Sequence, residues 1–111
     1  MSCTLFRAVT QWEYDDIQQQ GNRFRSSYER SSLEVKQFAV SEKCGHYYGK
    51  VVVQQYDNVH YILVRVELNI DSFCDDVMQL DDCFSVCIYP ENMNQFNEAI
   101  VECSIVNYNL N

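Results

Sequence analysis

Arg7 stands inside a short apolar run, Phe6-Arg7-Ala8-Val9. An arginine so placed either points to solvent from an edge strand or clamps an anion or ribose with the fixed fork of donors on its guanidinium. Tyr47-Tyr48-Gly49 offers two aromatic rings, which either fill the core or stack on a flat heterocycle such as nicotinamide or adenine. Glu98 and Glu102 flank the last apolar segment, and their even spacing puts both on one face of a regular strand. From there a carboxylate can stabilise an oxocarbenium-like ribosyl cation or orient an attacking hydroxyl; otherwise it meets solvent. Cys44-Gly45-His46 brings two zinc-ligand types together, but no second pair has ligand spacing, so no metal site is expected.

These residues need elements to hold them. Thr10-Gln11-Trp12-Glu13 reads as a capping box, with the threonine hydroxyl taking the Glu13 amide and the Glu13 carboxylate reaching back to the Thr10 amide. The helix it opens carries Trp12, Tyr14 and Ile17 inward and stops at Gly21, which suits the left-handed position past a helix end. The serine-rich stretch from Ser26 to Ser32 reads as a loop, and Val35 to Val40 as a short strand with Lys36, Phe38 and Val40 of one parity. Ser41 caps a second helix, Glu42 to Tyr48, closed by Gly49.

Lys50 to Tyr56 and His60 to Ile70 are expected to pair as a hairpin across Asp57-Asn58. In the second of them Ile62, Val64, Val66, Leu68 and Ile70 alternate with more polar positions, the period of a strand with one dry and one mixed face. Asp71 to Asp82 is acidic and irregular, with a helical turn expected around Phe73 to Leu80. Phe84 to Tyr89 resumes strand character, and Pro90 opens a short helix through Phe96. Ala99 to Val106 is a final strand, on which Glu102 and Ser104 should share the Ile100 face. The class is α+β: a mostly antiparallel sheet with two or three short helices in a single domain spanning residues 1–111.

Charge is unevenly spread. Residues 1–50 carry seven Lys/Arg against six Asp/Glu; residues 51–111 carry Arg65 alone against ten acids, a net of -9 within the whole chain's -8. That balance argues against a nucleic-acid backbone as partner, because binding phosphates relies on clustered cations. It leaves either a solvated acidic surface or an acidic face that docks on a basic protein groove. No run of about 18 apolar residues is present, so no membrane span is expected, and no signal peptide is discernible at the N-terminus. The six cysteines are therefore expected as reduced thiols of a cytoplasmic protein, several buried as small apolar groups.

Several blocks are similar to small bacterial and phage ADP-ribosyltransferase-like domains. Leu5-Phe6-Arg7-Ala8-Val9, Glu13-Tyr14-Asp15-Asp16-Ile17, Gly21 and Phe24-Arg25 resemble their opening; Glu34 to Ser41, with Tyr47-Tyr48-Gly49 behind it, resembles their second block. Tyr89-Pro90-Glu91, Phe96-Asn97 and Ala99-Ile100-Val101 resemble their closing segment. The resemblance implies a split antiparallel sheet with an NAD cleft between its halves, and transfer of ADP-ribose to a macromolecular target. It implies that Arg7 contacts the nicotinamide ribose or a phosphate, that Ser41, Tyr47 or Tyr48 lines the nicotinamide pocket, and that Glu98 or Glu102 is catalytic. The family's Glu-x-Glu or Gln-x-Glu pair is absent, since Ile100 stands two residues before Glu102. The alternative is a non-catalytic acidic interaction protein, such as a phage-encoded inhibitor seated in a basic groove of a nucleic-acid-handling enzyme. A redox or metal protein would rest on the six thiols alone.

Overall fold

Six strands form one antiparallel sheet in the computed structural model, which describes residues 2–25, 36–53, 61–71 and 73–106. The strands are β1 (Cys3–Val9), β2 (Lys36–Ala39), β3 (Ile62–Leu68), β4 (Asp76–Leu80), β5 (Cys83–Ile88) and β6 (Ile100–Ile105), in the spatial order β4-β5-β2-β1-β3-β6. Among the described residues three short helices, α1 (Gln11–Gln19), α2 (Glu42–Tyr48) and α3 (Met93–Glu98), complete an α+β fold. The serine-rich loop and the Asp57-Asn58 turn lie outside the described residues.

Residues paired across a sheet share a face. One face carries Leu5, Arg7 and Val9 of β1, paired with Val66, Val64 and Ile62 of β3. Against it α1 lays Ile17 and α3 lays Met93 and Phe96, and these join the strand residues in the main core. Phe24, Phe38, Phe73 and Phe96 interlock there, with the Phe24 and Phe38 ring centroids 5.1 Å apart and edge-on. The opposite face carries Phe6, Ala8 and Leu63 and is covered by α2. Its Gly45 lies so close that a Cβ would meet Leu63 Cδ1 at 2.7 Å and Phe6 Cβ at 3.0 Å.

Local signals are realised where their partners are sequence neighbours. Thr10 Oγ1 accepts from the Glu13 amide at 3.1 Å. At the other end Gly21, at φ +71°, donates to Gln18 O and Asn22 to Ile17 O, the paired bonds of a Schellman stop. Ser41 Oγ accepts from the Cys44 amide at 3.1 Å and starts α2. Pro90 opens a 3-10 turn (Pro90–Asn92) that runs into α3.

Five expectations need correction. Trp12 is 58% exposed, because the sheet-facing stripe of α1 runs through Glu13, Tyr14 and Ile17. α2 ends at Tyr48 with Gly49 as its C-cap, but Gly49 is right-handed (φ -58°) and leads into a π-helical turn, Gly49–Val53, in place of the expected strand. The ring of Tyr61 packs on Gly49, where any Cβ would lie 2.5 Å from it, so packing overrides the β-propensity of Val51 to Val53. Asp76–Leu80 is a strand instead of a helical turn, since Asp81 at φ +55° closes a tight hairpin onto β5. On β6, Leu68 pairs with Ile100 but Glu67 pairs with Glu102. The bulge leaves Val101 extra and puts Ile100 in the core while Glu102 turns to the other face. Finally, Cys44 and Cys83 form a disulfide with their Cα atoms 5.4 Å apart, so the thiols are not all reduced. Packing α2 over β5 brings those two residues within bonding range.

Candidate functional site

The guanidinium of Arg7 is enclosed by protein groups. Its Nε donates to Glu13 Oε2 at 2.7 Å, its Nη2 to Glu13 Oε1 at 3.0 Å and its Nη1 to the Gln37 carbonyl at 2.9 Å. Lys36 Nζ adds a contact to Glu13 Oε2 at 3.5 Å, and Arg7 lies 5.8 Å from the Phe38 ring centroid. The placement follows from the sheet. Between the described residues, the β1–β2 ladder has one register pair, Phe6 with Ala39, so the strands diverge beyond it. Arg7 reaches across that seam and satisfies a β2 carbonyl that the ladder leaves over. Burial by itself would raise the Glu13 pKa, but the Arg7 charge and hydrogen bonds, with help from Lys36, bring it down from 4.5 to about 2. The Glu13 carboxylate thus pairs with Arg7, and the reciprocal half of the expected capping box is replaced by a strand-to-helix ion pair.

The two candidate glutamates do not join Arg7. Glu102 is in register with Glu67, which pairs with Thr4, so it lies on the Phe6 face of the sheet and Arg7 on the other. There Arg65 reaches both carboxylates, Glu67 at 3.6 Å and Glu102 at 3.9 Å. Glu98 is the exposed last residue of α3 and does not share a strand with Glu102. A cavity of about 310 Å³ lies beside the end of α1, with Gln20, Arg23, Asn94 and Asn97 in its wall, and none of the candidate residues lines it. Arg7, Ser41, Tyr47, Tyr48, Glu98 and Glu102 therefore do not surround one cleft.

What the structure does assemble is a clamped hairpin at one sheet edge. Tyr47 donates to the Asp81 carboxylate in the β4–β5 turn, and Ser85 Oγ donates to the Tyr48 hydroxyl at 2.6 Å. The Cys44–Cys83 disulfide fastens the first residue of β5 to the first turn of α2. Ser41, by capping α2, supports all three links. On the same helix His46 Nδ1 shares a 2.7 Å hydrogen bond with the Tyr61 hydroxyl, and Glu42 lies 3.7 Å from His46 Nε2. The tyrosines and serine predicted to line a pocket thus anchor an edge hairpin to a helix.

Three of the free thiols, Cys3, Cys87 and Cys103, are not poised for chemistry. Burial raises the Cys3 pKa, and burial followed by the charge of Asp76 raises that of Cys87. Burial pushes Cys103 up to about 11 against the opposing charge of Arg23. Protonated thiols are poor nucleophiles and metal ligands at neutral pH. Cys44 is spent in the disulfide, and among the described residues no three His, Cys, Asp or Glu side chains group as metal ligands. Among the same residues no helix is long and apolar enough to cross a membrane.

The hairpin edge itself escaped the sequence reading. All five residues of β4 are exposed, Val77 at 56%, and Phe84 on β5 is 48% exposed. The available signal was Asp81-Asp82 as turn chemistry between two runs of strand formers. Comparison with protein-family models, curated proteins and solved structures finds no match to this chain.

Proposed function

We propose that this chain is a non-catalytic interaction protein whose acidic half docks on a basic surface of another protein. The observation that carries it is the β4–β5 edge: Val77 and Phe84 are exposed on one face of the hairpin and Met78 and Leu80 on the other, between Asp75, Asp76, Asp81 and Asp82. Residues 71–82 hold five aspartates and no lysine or arginine. An exposed apolar group rimmed by one sign of charge is the surface expected of a docking site, with the charge steering encounter and the apolar centre supplying affinity. An NAD-dependent transferase would need its cation and carboxylate in one cleft, and Arg7 is instead tied to Glu13 and Gln37 while Glu102 lies across the sheet.

The test is binding to a panel of folded basic proteins, followed by calorimetry over a range of salt. Affinity should fall steeply as salt rises, because exposed opposite charges are screened within about 10 Å at ~0.1 M salt. Salt-independent affinity, or none for any basic protein, would remove the reading. NAD binding that disappears in Arg7→Met while the fold persists would restore the nucleotide alternative.

A further inference from the structure

The two ends of the sheet differ in a way that selects a binding mode. β6 is bulged at Val101, which twists an edge away from further pairing. β4 is regular: its register with β5 runs unbroken from Asp76 with Cys87 to Leu80 with Cys83. In such an antiparallel pair alternate residues point their N–H and C=O groups away from the partner strand. Among the described residues no further strand pairs with β4, and the Val77 amide is met by Asp76 Oδ1 at 2.8 Å, a local contact that an incoming strand displaces. The strand is held ready by Tyr47, Tyr48 and the Cys44–Cys83 bridge, which lowers the ordering cost of binding. Beside it, Val40 donates its amide to the Phe84 carbonyl at 3.4 Å, and Phe84 is diagonal to Val77, so an exposed apolar row crosses β2, β5 and β4.

Charge decides the occupant. Asp75 accepts from the Tyr89 amide and Asn92 Nδ2, and Asp81 accepts from Tyr47. Those donors are neutral and leave the negative charge in place. Nearby, the Asp76 charge, followed by burial, raises the Tyr89 pKa. A second copy pairing β4 to β4 would bring aspartates against aspartates, which disfavours self-association. Resting on the docking function above, we infer that β4 accepts an extended, basic segment of a partner protein as a seventh strand, with alternate lysines or arginines reaching the flanking aspartates and the intervening apolar side chains meeting the Val77–Phe84 row.

The probe is a short synthetic peptide alternating lysine and valine, titrated into the intact protein at low salt and followed by amide NMR. Shifts and new exchange protection should centre on Asp76–Leu80. N-methylation of alternate peptide amides, which keeps charge and side chains but removes backbone donors, should weaken binding about tenfold or more. A glutamate–valine peptide should not bind. Equal binding of the N-methylated peptide, or shifts centred elsewhere, would overturn strand addition while leaving acidic docking intact. Equal binding of the glutamate peptide would overturn the basic specificity, and absence of lysine–valine binding would overturn the inference while the basic-protein panel separately decides the docking function. Sedimentation showing a dimer through β4 would replace the partner with a second copy.

Discussion

Arg7→Met removes the guanidinium that joins β1, β2 and α1, and leaves the Glu13 carboxylate with Lys36 at 3.5 Å as its nearby cation. Arg7 and Glu13 are each 18% exposed, so the orphaned charge is poorly solvated. The fall of the Glu13 pKa from 4.5 to about 2 corresponds to roughly 3 kcal/mol favouring the charged form in the folded state. Lys36 retains part of that, so Arg7→Met should cost about 2 kcal/mol at neutral pH, readable by urea unfolding. The sign of the pH dependence follows from a folded pKa below the unfolded one. The stabilisation is complete above about pH 4.5 and drains away as pH falls toward 2 in the native protein. In Arg7→Met that acid-dependent loss should shrink. The double variant Arg7→Met/Glu13→Leu should be more stable than the sum of the single changes, because it removes the stranded charge. A cost under about 0.5 kcal/mol for Arg7→Met, or an unchanged acid limb, would refute the assignment of Arg7 as the fastener of the β1–β2 seam.

Gly45→Ala should destabilise by about 1–3 kcal/mol in thermal unfolding, since the new methyl would lie 2.7 Å from Leu63 Cδ1 in a packed layer. Asn97→Ala should cost about 1–3 kcal/mol in urea, because Asn97 bonds both the amide and the carbonyl of Phe24 at 2.9 and 2.6 Å. Reducing the Cys44–Cys83 bridge, which spans 39 residues, should lower stability by as much as about 4 kcal/mol on the chain-entropy argument, and a denaturation midpoint unmoved by reductant would contradict it.

Legibility in the sequence divided by range. The α1 caps were readable because Thr10, Glu13 and Gly21 act on backbone groups within a turn or two of themselves. The alternation of Ile62, Val64, Val66 and Leu68 announced β3 and its dry face, and Ser41 announced the start of α2. The α+β class followed from those periods. Trp12 misled because a large apolar ring beside a cap looks like core, whereas the inward positions were set by where the Arg7 face waited.

The candidate site divided in the same way. Residue types alone marked Arg7, Tyr47, Tyr48 and Glu102 as capable of chemistry, but capability depends on what a side chain meets. The bulge at Val101 turned Glu102 to the face opposite Arg7, and a register shift is a property of two strands together. Of the hairpin Asp76–Ile88, β5 was legible in the strand character of Phe84 to Tyr89, but β4 was hidden because it is stabilised by pairing with β5 and by a turn that Tyr47 of α2 holds at Asp81. Sequence therefore determined the local punctuation and the acidity of the second half. Only tertiary structure decided which charges are paired, which strand lies at an edge, and which apolar side chains remain outside, since each depends on groups brought together by folding.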